Sequence, residues 1–378
     1  MCPATLDILC LEPWMGGSHA AFLEAWQRRS AHRVELLGLP ARHWRWRMRS
    51  APWELARKLD RAGRTRPDVL LVSDYVDLPA LLGFLPASWA SVPTIAYFHE
   101  NQLTYPGPAQ DERDGHLAWT NLATCLRADA LAFNSEFHRA EFRTAGESFL
   151  ASLPRPSPRA DFARAMDRSR VITPGIELDA IPLGAGGTGP LRVLFPHRRE
   201  HDKDPLGFLH AVREVLARGG ELELVLVGER GARMPDGVEG ALDELAPYIA
   251  HSGFVDSRAE YLALLGTCDL VVSTALHEFY GIAVGEALAA GCAALLPNRL
   301  AYPELLPRGW HAAGLYEEGE LVDRLLAHAR DPAPLRVPAD RAKQREALAQ
   351  ADCSATARQL DECAQELADR THTLEQAP

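Results

Sequence analysis

The chain has 378 residues, of which 47% are hydrophobic and 24% charged, and its formal net charge is −11. This composition excludes a disordered protein, and the length exceeds what one hydrophobic core usually supports, so we expect two domains. No apolar run reaches the roughly 18 residues of a membrane span, and an N-terminus with an acid at Asp7 and no basic residues argues against a signal peptide. Seven scattered cysteines without C-x-x-C spacing favour reduced thiols in a cytoplasmic protein over disulfides or a zinc site.

Residues 41–66 carry nine Lys or Arg against two acidic residues, although the whole chain is acidic. The stretch begins ARHWRWRMRSAPW (41–53), in which arginines alternate with Trp44, Trp46 and Trp53. Cations interleaved with indoles suit a nucleic acid, because they neutralise phosphates and stack on bases. The alternative is a solvated amphipathic helix whose tryptophans belong to the core, and we expect at least one of the three to be buried.

In the first half, short apolar runs alternate with helical periods, which is typical of a parallel α/β sheet. The predicted strands are LDILCLE (6–12), RVELLGL (33–39), DVLLVSD (68–74), TIAYFH (94–99) and ALAFNS (130–135). Helices are predicted between them, at 19–29 and 116–127 among other places.

The stretch PLGAGGTGP (182–190) indicates an interdomain linker, and the alternation restarts after it. Strands are predicted at 191–197, 223–229, 251–255, 270–276 and 292–298, with helices at 204–220 and 258–269. We therefore expect a first domain over 1–182, a linker over 183–190, a second domain over 191–339 and a helical segment over 340–378 that packs back towards the first domain. The predicted architecture is two doubly wound Rossmann-like domains facing a cleft.

The segment HEFYGIAVGEALAAG (277–291) directly follows a predicted strand. A helix that begins near Gly281 would turn its unsatisfied N–H groups towards a phosphate at the edge of the sheet. Glu278 and Glu286 would flank that phosphate and accept hydroxyl hydrogen bonds, one from a hexose and one from a ribose. The alternative is a helix with one capping and one solvated glutamate.

The loop PHRREHDKDP (196–205) leaves the first strand of the same domain. Arg198 and Lys203 would together stabilise the charge on a departing nucleoside diphosphate. Asp202 and Asp204 form an Asp-x-Asp pair, but Lys203 between them argues against a divalent ion, and we expect no metal.

Two further motifs end strands of the first half. EPWMGGSH (12–19) has Gly16 and Gly17 for close backbone approach and Ser18 as a helix cap, and it fits neither a Walker loop nor G-x-G-x-x-G. YFHENQLTYP (97–106) crowds polar side chains at a strand end, including His99, which suits recognition of a sugar or a base.

Together these motifs resemble the tRNA-queuosine α-mannosyltransferase family, which has the GT-B fold and belongs to the retaining E-x7-E glycosyltransferases. The resemblance extends from about residue 6 to residue 305 and includes LPARHWRWRMR and AFNSEFH of the first half. It implies GDP-mannose as donor substrate without a further cofactor, and the cyclopentenediol of queuosine at the wobble position of an aspartate tRNA as acceptor.

The resemblance also implies roles for individual residues. Glu278 would contact the donor mannose, Glu286 the guanosine ribose, and Arg198 with Lys203 the diphosphate. His99 would lie near the transferred sugar, so the catalytic set is His99, Glu278, Arg198 and Lys203. The donor-binding set is Gly16, Gly17, Arg198, Lys203, Glu278, Tyr280, Gly281 and Glu286. The acceptor and tRNA set is Ser18, His19, Arg42, Trp44, Arg45, Trp46, Arg47, Arg49, Glu100, Asn101 and Gln102.

Asn101, Asn121 and Asn134 match polar positions of the family without an assigned role. Arg199 stands where the family usually has an apolar or aromatic residue, and the insert 152–170 has no evident role. Two alternatives stay open. One is a glycosyltransferase acting on a lipid, a glycan or a small metabolite, and the other is an inactive nucleotide- or tRNA-binding protein.

Overall fold

The computed structural model describes residues 5–105, 115–229 and 234–375. They form two compact units, unit 1 (Met1–Gly175 with Cys353–Pro378) and unit 2 (Ile176–Asp352). Pro106, the last residue of the motif at 97–106, lies outside the described residues.

Unit 1 is built on six parallel strands in the order β2-β1-β3-β4-β5-β6. These are β1 (Asp7–Met15), β2 (Arg33–Pro40), β3 (Val69–Ser73), β4 (Thr94–Phe98), β5 (Ala130–Phe133) and β6 (Arg170–Val171). Its helices are α1 (Gly17–Arg29), α2 (Trp44–Arg61), α3 (Leu78–Phe84), α4 (Gly115–Arg127), α5 (Glu136–Ser152), α6 (Arg159–Asp167) and, at the end of the chain, α15 (Cys353–Glu375).

The inner strands of unit 1, β1, β3, β4 and β5, bury both faces, as expected for a parallel sheet covered by helices. On β1, Leu9 and Leu11 point into the core shared with α2 to α6. Ile8 and Cys10 point to the other face and pack with residues of α1 and α15. The central strands β3 and β4 are buried throughout, which explains their continuous apolar sequences.

Unit 2 repeats this plan with the order β12-β11-β10-β7-β8-β9. Its strands are β7 (Leu191–Phe195), β8 (Leu222–Val227), β9 (Ile249–Gly253), β10 (Leu270–Val272), β11 (Ala293–Pro297) and β12 (Leu315–Tyr316). Its helices are α7 (Pro205–Ala217), α8 (Val238–Leu245), α9 (Arg258–Gly266), α10 (Ile282–Ala289), α11 (Tyr302–Leu305), α12 (His311–Gly314), α13 (Leu321–Arg330) and α14 (Pro338–Ala347).

Both sheets have a point where the strand order reverses, between β1 and β3 in unit 1 and between β7 and β10 in unit 2. Open α/β sheets bind ligands at the carboxyl ends of the strands beside such a point. The motifs singled out in the sequence follow β1, β4, β7 and β10, so the topology places each of them at or next to the ligand-binding edge of its own sheet.

The glycine-rich stretch 182–190 is not a free linker. The backbone N–H of Gly184 donates to the carbonyl of Ala290 (2.9 Å), and that of Gly187 donates to the Asp269 carboxylate (2.8 Å). A Cβ on Gly184 would lie 1.9 Å from the carbonyl oxygen of Gly266, so glycine is needed there for close packing. The stretch therefore belongs to unit 2, which begins at Ile176 rather than at 191.

The insert 152–170 has a structural role that its sequence does not reveal. It contains α6, whose Phe162 and Met166 are fully buried in unit 1. The Phe162 ring lies 5.9 Å from that of Phe142, and a Cβ on Gly146 would collide with it at 2.4 Å. The insert closes one face of the core.

The C-terminal segment is divided between the two units. α14 belongs to unit 2, whereas α15 packs in unit 1 on α1. The Asp361 carboxylate accepts hydrogen bonds from Trp26 Nε1 (2.8 Å), Ser30 Oγ (2.6 Å) and the Ala31 amide (2.8 Å). One acidic side chain thus holds the end of α1 against α15.

The described cysteines are buried and form no disulfide with one another: Cys10, Cys125, Cys268, Cys292, Cys353 and Cys363. Among the described helices, none combines the length and the apolar character needed to traverse a lipid bilayer.

Asp361→Ala should destabilise unit 1, because three donors lose one charged acceptor together. We expect the free energy of unfolding to fall by about 2–3 kcal/mol, measured by urea unfolding followed by circular dichroism. Glu362→Ala, a neighbouring exposed acid, is the matched control and should change it by less than about 0.5 kcal/mol. Equal stability of the two variants would contradict the role of Asp361.

Candidate active site

In unit 2, Lys203 joins the loops that follow β7 and β10. Its Nζ donates to the carbonyl of His277 (2.8 Å) and lies 3.2 Å from Glu278 Oε2 and 3.3 Å from Asp202 Oδ2. The amides of Leu276 and His277 donate in turn to the Asp202 carbonyl, at 2.8 and 3.2 Å. Two predicted site residues, Lys203 and Glu278, are therefore in direct contact at the switch point.

Electrostatics keep this pair ionised. Burial alone would lower the pKa of Lys203, but Glu278 and Asp202 outweigh it and raise the pKa above 10.5. Burial would likewise raise the pKa of Glu278, yet Lys203 holds that pKa below its usual value. Burial and the neighbouring Lys203 lower the pKa of His197 to about 3 and that of His277 to about 4, so both imidazoles are neutral at pH 7.

Gly281 starts α10 as the sequence predicts. Its φ is 91°, in the left-handed region that favours glycine, and α10 begins with Ile282 without a side-chain cap. The first N–H groups of α10 thus remain suited to an anion. The side chain of Tyr280, expected in the donor site, is buried in the core of unit 2, although its amide lies 3.4 Å from Glu278 Oε1.

The two arginines after β7 differ in environment. The Arg198 side chain is half exposed and lies 3.2 Å from Glu200 Oε2. Arg199 is buried and donates to Ser252 Oγ on β9 (2.6 Å), which accounts for a cation whose orientation the sequence does not give. Gly228 is not identified as important from the sequence. A Cβ at this position would lie 2.6 Å from the carbonyl oxygen of His197. The sequence gives only one indication of this close approach, a glycine directly after a strand.

The carboxylate of Glu286 is already hydrogen-bonded within unit 2. It accepts a hydrogen bond from Arg258 and another from Tyr261 OH (2.8 Å), both on α9, and only 8% of it is exposed. Neither Arg258 nor Tyr261 was expected in the site, because nothing in the sequence of α9 marks them. Arg258 lies over the Tyr261 ring at 5.3 Å and is itself half exposed.

In unit 1, Glu12 organises the edge of the sheet at the switch point. Its Oε1 accepts from the Trp14 amide (2.7 Å) and Ser73 Oγ (3.1 Å), and its Oε2 lies 3.1 Å from His19 Nδ1. The His19 ring stacks on that of His99 with centroids 4.0 Å apart. Glu12, an unpredicted residue, thus connects the predicted His19 and His99.

Glu12, His19 and His99 offer ligand atoms within 4.8 Å of one another, a separation that a metal ion could bridge. Both oxygens of Glu12 are already hydrogen-bonded, one of them to His19. The arrangement is therefore complete as an ion pair, and metal independence stays a prediction for experiment.

The polar side chains after β4 separate into framework and surface groups. Asn101 is buried, and its Oδ1 accepts from the amides of Leu103 and Thr104, so it shapes the loop rather than facing a ligand. Glu100 Oε1 accepts from Tyr75 OH (2.9 Å) and Gln102 Nε2 (3.1 Å), and Glu100 and Gln102 are partly exposed.

The family asparagines Asn121 and Asn134 also form the framework. Asn121 donates to the Asp74 carbonyl (2.8 Å) and accepts from the Gln102 amide (2.7 Å). Asn134 donates to the His99 carbonyl (2.8 Å). They orient the loop after β4.

The loop after β1 differs from the expectation in one respect. α1 begins at Gly17, with Gly16 as its cap residue, so Ser18 lies in the first turn and does not cap the helix. Gly16 packs closely, because a Cβ there would lie 2.7 Å from that of Ala41.

Most of the basic stretch 41–66 forms α2, and most of its side chains that were predicted to contact tRNA are exposed. Trp46 is 63% and Trp53 51% exposed, and Trp44 is partly buried. The expectation that at least one of the three tryptophans is buried is therefore wrong. Arg42, Arg45 and Arg49 are exposed. The placement of Arg47 on this surface is wrong: it is buried and pairs with Glu54 (2.7 Å), since position 47 faces the sheet.

Comparison with known proteins matches both halves of the chain. Residues 7–176 match the family model "tRNA-queuosine alpha-mannosyltransferase N-terminal", and residues 191–333 match "Glycosyl transferases group 1". A tRNA-queuosine alpha-mannosyltransferase of Drosophila melanogaster is 32% identical over 80% of this chain and 82% of the relative. A GDP-mannose-dependent alpha-(1-6)-phosphatidylinositol dimannoside mannosyltransferase of Mycobacterium tuberculosis is 24% identical over 64% of this chain and 60% of the relative.

Among solved structures, a sucrose-phosphate synthase from Thermosynechococcus elongatus has a TM-score of 0.72 at 15% identity, covering 96% of this chain and 99% of that one. A UDP-forming trehalose-phosphate synthase from Burkholderia xenovorans has a TM-score of 0.68, also at 15% identity, with 96% and 99% covered. These similarities confirm the predicted GT-B fold.

His19 should be protonated at pH 7. Burial alone would lower its pKa, but Glu12 outweighs burial and raises the pKa to about 9. Because the folded-state pKa exceeds the ordinary 6.5, the resulting stability is fully present below pH 6.5 and is lost as pH rises through about 9. Urea unfolding at pH 6.5 and pH 9 measures this loss. His19→Asn, which keeps a polar group there, should lose less stability over the same interval, and an equal loss would contradict the ion pair.

Proposed function

Because the chain belongs to the tRNA-queuosine α-mannosyltransferase family, whose members are hexosyltransferases, we propose that it transfers mannose from GDP-mannose to the cyclopentenediol of queuosine at the wobble position of an aspartate tRNA. Unit 2 binds the donor and unit 1 the acceptor. The observation that carries the proposal is the contact of Lys203 with Glu278 beside the N-terminus of α10.

These three groups suit a sugar diphosphate. The N–H groups of α10 and the ammonium of Lys203 attract its phosphates, while the ionised Glu278 accepts hydrogen bonds from mannose hydroxyls. Arg198, half exposed on the neighbouring loop, adds a second cation for the diphosphate. Glu286 takes the ribose hydroxyls once Arg258, its exposed partner, turns away from it.

Transfer proceeds with retention of configuration. Lys203, Arg198 and the α10 N-terminus stabilise GDP as it departs, and the acceptor hydroxyl attacks the same face of the oxocarbenium-like mannose while the departing phosphate oxygen takes its proton. His99 is neutral and stacked on His19, and its proposed role is to hydrogen-bond a hydroxyl of the transferred sugar. No step needs a metal ion.

The exposed face of α2 is the docking surface for tRNA. Arg42, Arg45 and Arg49 neutralise phosphates, and the exposed Trp46 stacks on an unpaired base of the anticodon loop. Buried cysteines that form no disulfide among the described residues, together with a tRNA acceptor, fit a cytoplasmic protein.

Incubation of the protein with GDP-mannose and queuosine-containing tRNA, followed by mass spectrometry of the wobble nucleosides, tests the proposal. Queuosine should gain one hexose, and tRNA with guanosine at the same position is the control. An unmodified nucleoside together with mannosylation of a lipid, glycan or metabolite would overturn the acceptor assignment.

Glu278→Ala should reduce kcat/KM for transfer by about 10- to 100-fold, because a charged hydrogen bond to the sugar is lost in the transition state. Steady-state kinetics measure the effect, and a thermal melt checks the fold. Glu239→Ala, at an exposed position of α8, is the matched control. Wild-type turnover by the Glu278 variant would exclude this residue from the donor site.

Transfer should persist in EDTA, because Lys203, Arg198 and backbone N–H groups take the role that a divalent ion has in other transferases. The measurement compares initial rates before and after chelation and after addition of Mg²⁺ or Mn²⁺. Loss of activity with rescue by either ion would show that the reaction depends on a metal.

Combined reversal of Arg45→Glu and Arg57→Glu should raise the KM for tRNA at least tenfold and flatten its salt dependence, because both side chains are exposed on α2. Hydrolysis of GDP-mannose should not change. Reversal of Arg164 and Arg168, exposed elsewhere on unit 1, is the matched control. If both double variants bind tRNA alike across a salt series, α2 is not the docking surface.

A further inference from the structure

The two α9 residues that hydrogen-bond Glu286 differ in how firmly they are held. Tyr261 OH donates to Glu286 Oε2 (2.8 Å), and the Tyr261 ring packs against the core of unit 2. Arg258 donates to Glu286 Oε1, but 50% of its side chain is exposed, compared with 11% of the Glu286 side chain. Core packing keeps the phenol in place, whereas an exposed guanidinium can rotate into water at little cost.

Arg258 lies at the edge of the sheet where the donor is proposed to bind. It is the first residue of α9, which follows the carboxyl end of β9. Strand β9 is parallel to β8, β8 to β7, and β7 to β10. The loops after β7, β9 and β10 therefore leave the same edge, and α10, which carries Glu286, begins there. Arg258 thus occupies one oxygen of the carboxylate proposed to bind the ribose.

A second acid favours the charge of Arg258 besides Glu286. Burial would lower the pKa of Arg258, but the hydrogen bond to Glu286 and the charges of Glu286 and Glu177 raise it above its ordinary value. The guanidinium also lies over the Tyr261 ring, 5.3 Å from its centroid. A guanidinium that leaves Glu286 therefore stays near a carboxylate and an aromatic face, which lowers the cost of its release.

We infer that Arg258 competes with the ribose of the donor for Glu286, and that Tyr261 positions Glu286 for that ribose. The inference rests on the proposed function, because it takes the donor to be a nucleoside diphosphate sugar whose ribose binds Glu286. The 2′- and 3′-hydroxyls donate to Glu286 in place of the guanidinium, while Tyr261 holds the other oxygen. A nucleotide that lacks these hydroxyls makes no hydrogen bond to Glu286 and leaves Arg258 in place.

Isothermal titration calorimetry with GDP and with 2′,3′-dideoxy-GDP tests the inference. The wild-type protein should bind GDP about 10- to 100-fold more tightly than dideoxy-GDP, because only GDP donates hydroxyl hydrogen bonds to a carboxylate. Arg258→Ala should bind GDP about 2- to 5-fold more tightly than the wild type, because the competing ion pair is absent. Its affinity for dideoxy-GDP should equal that of the wild type.

Tyr261→Phe should have the opposite effect, although Tyr261 bonds the same carboxylate. Without the phenol hydroxyl, Glu286 is no longer fixed, and the affinity for GDP should fall about 3- to 10-fold, while that for dideoxy-GDP stays unchanged. Arg213→Ala is the matched control, since Arg213 forms a similarly exposed ion pair with Glu244 in unit 2. This variant should bind both nucleotides as the wild type does.

Each other outcome contradicts a particular part of the inference. Weaker binding of both nucleotides by Arg258→Ala would mean that the arginine contacts the phosphates or the base, and unchanged or weaker binding of GDP alone would mean that it does not compete. Tighter binding of GDP by Tyr261→Phe would exclude the positioning role. Equal affinities of the wild type for the two nucleotides would overturn the inference without affecting mannosyl transfer, whereas failure of the wild type to bind GDP would overturn the proposed donor itself.

Discussion

The contact of Lys203 with Glu278 is the constraint on which the arrangement of unit 2 depends. The two residues are 75 positions apart in the chain and belong to the loops on either side of the switch point. Removal of one member of a buried ion pair leaves the other charge without compensation, which usually costs several kcal/mol. The pair therefore fixes Glu278 in front of α10, and with it the distance between the carboxylate proposed to bind the sugar and the helix end proposed to bind phosphate.

Unit 1 also has a buried carboxylate that positions the loops at the edge of its sheet, but the residues differ from those of unit 2. Glu12 on β1 accepts from Ser73 on β3 and pairs with His19 on α1, so it connects both strands of the switch point with the first helix. The stacking of His19 on His99 extends this connection to the loop after β4. In each unit one buried carboxylate, bonded to a cation, determines where the loops at the carboxyl edge of the sheet lie.

The sequence predicts the central strands well, because a parallel strand buried on both faces is a continuous apolar run, as in β3 and β4. It does not predict β6 and β12, whose two residues each are too short to show a pattern. Glycine-rich composition suggested a linker at 182–190, but the same residues are required for close packing against Gly266. Composition alone does not distinguish a flexible linker from a tightly packed segment.

The candidate site shows the same limit. The proximity of Lys203 and Glu278 could be predicted from the sequence, since the loops that carry them follow strands at one edge of the sheet. The partners of Glu286 could not, because Arg258 and Tyr261 lie on α9, where their sequence is that of an ordinary surface helix. The burial of Arg47 was missed for a related reason: a charge run gives no sign of which arginine faces inward to Glu54.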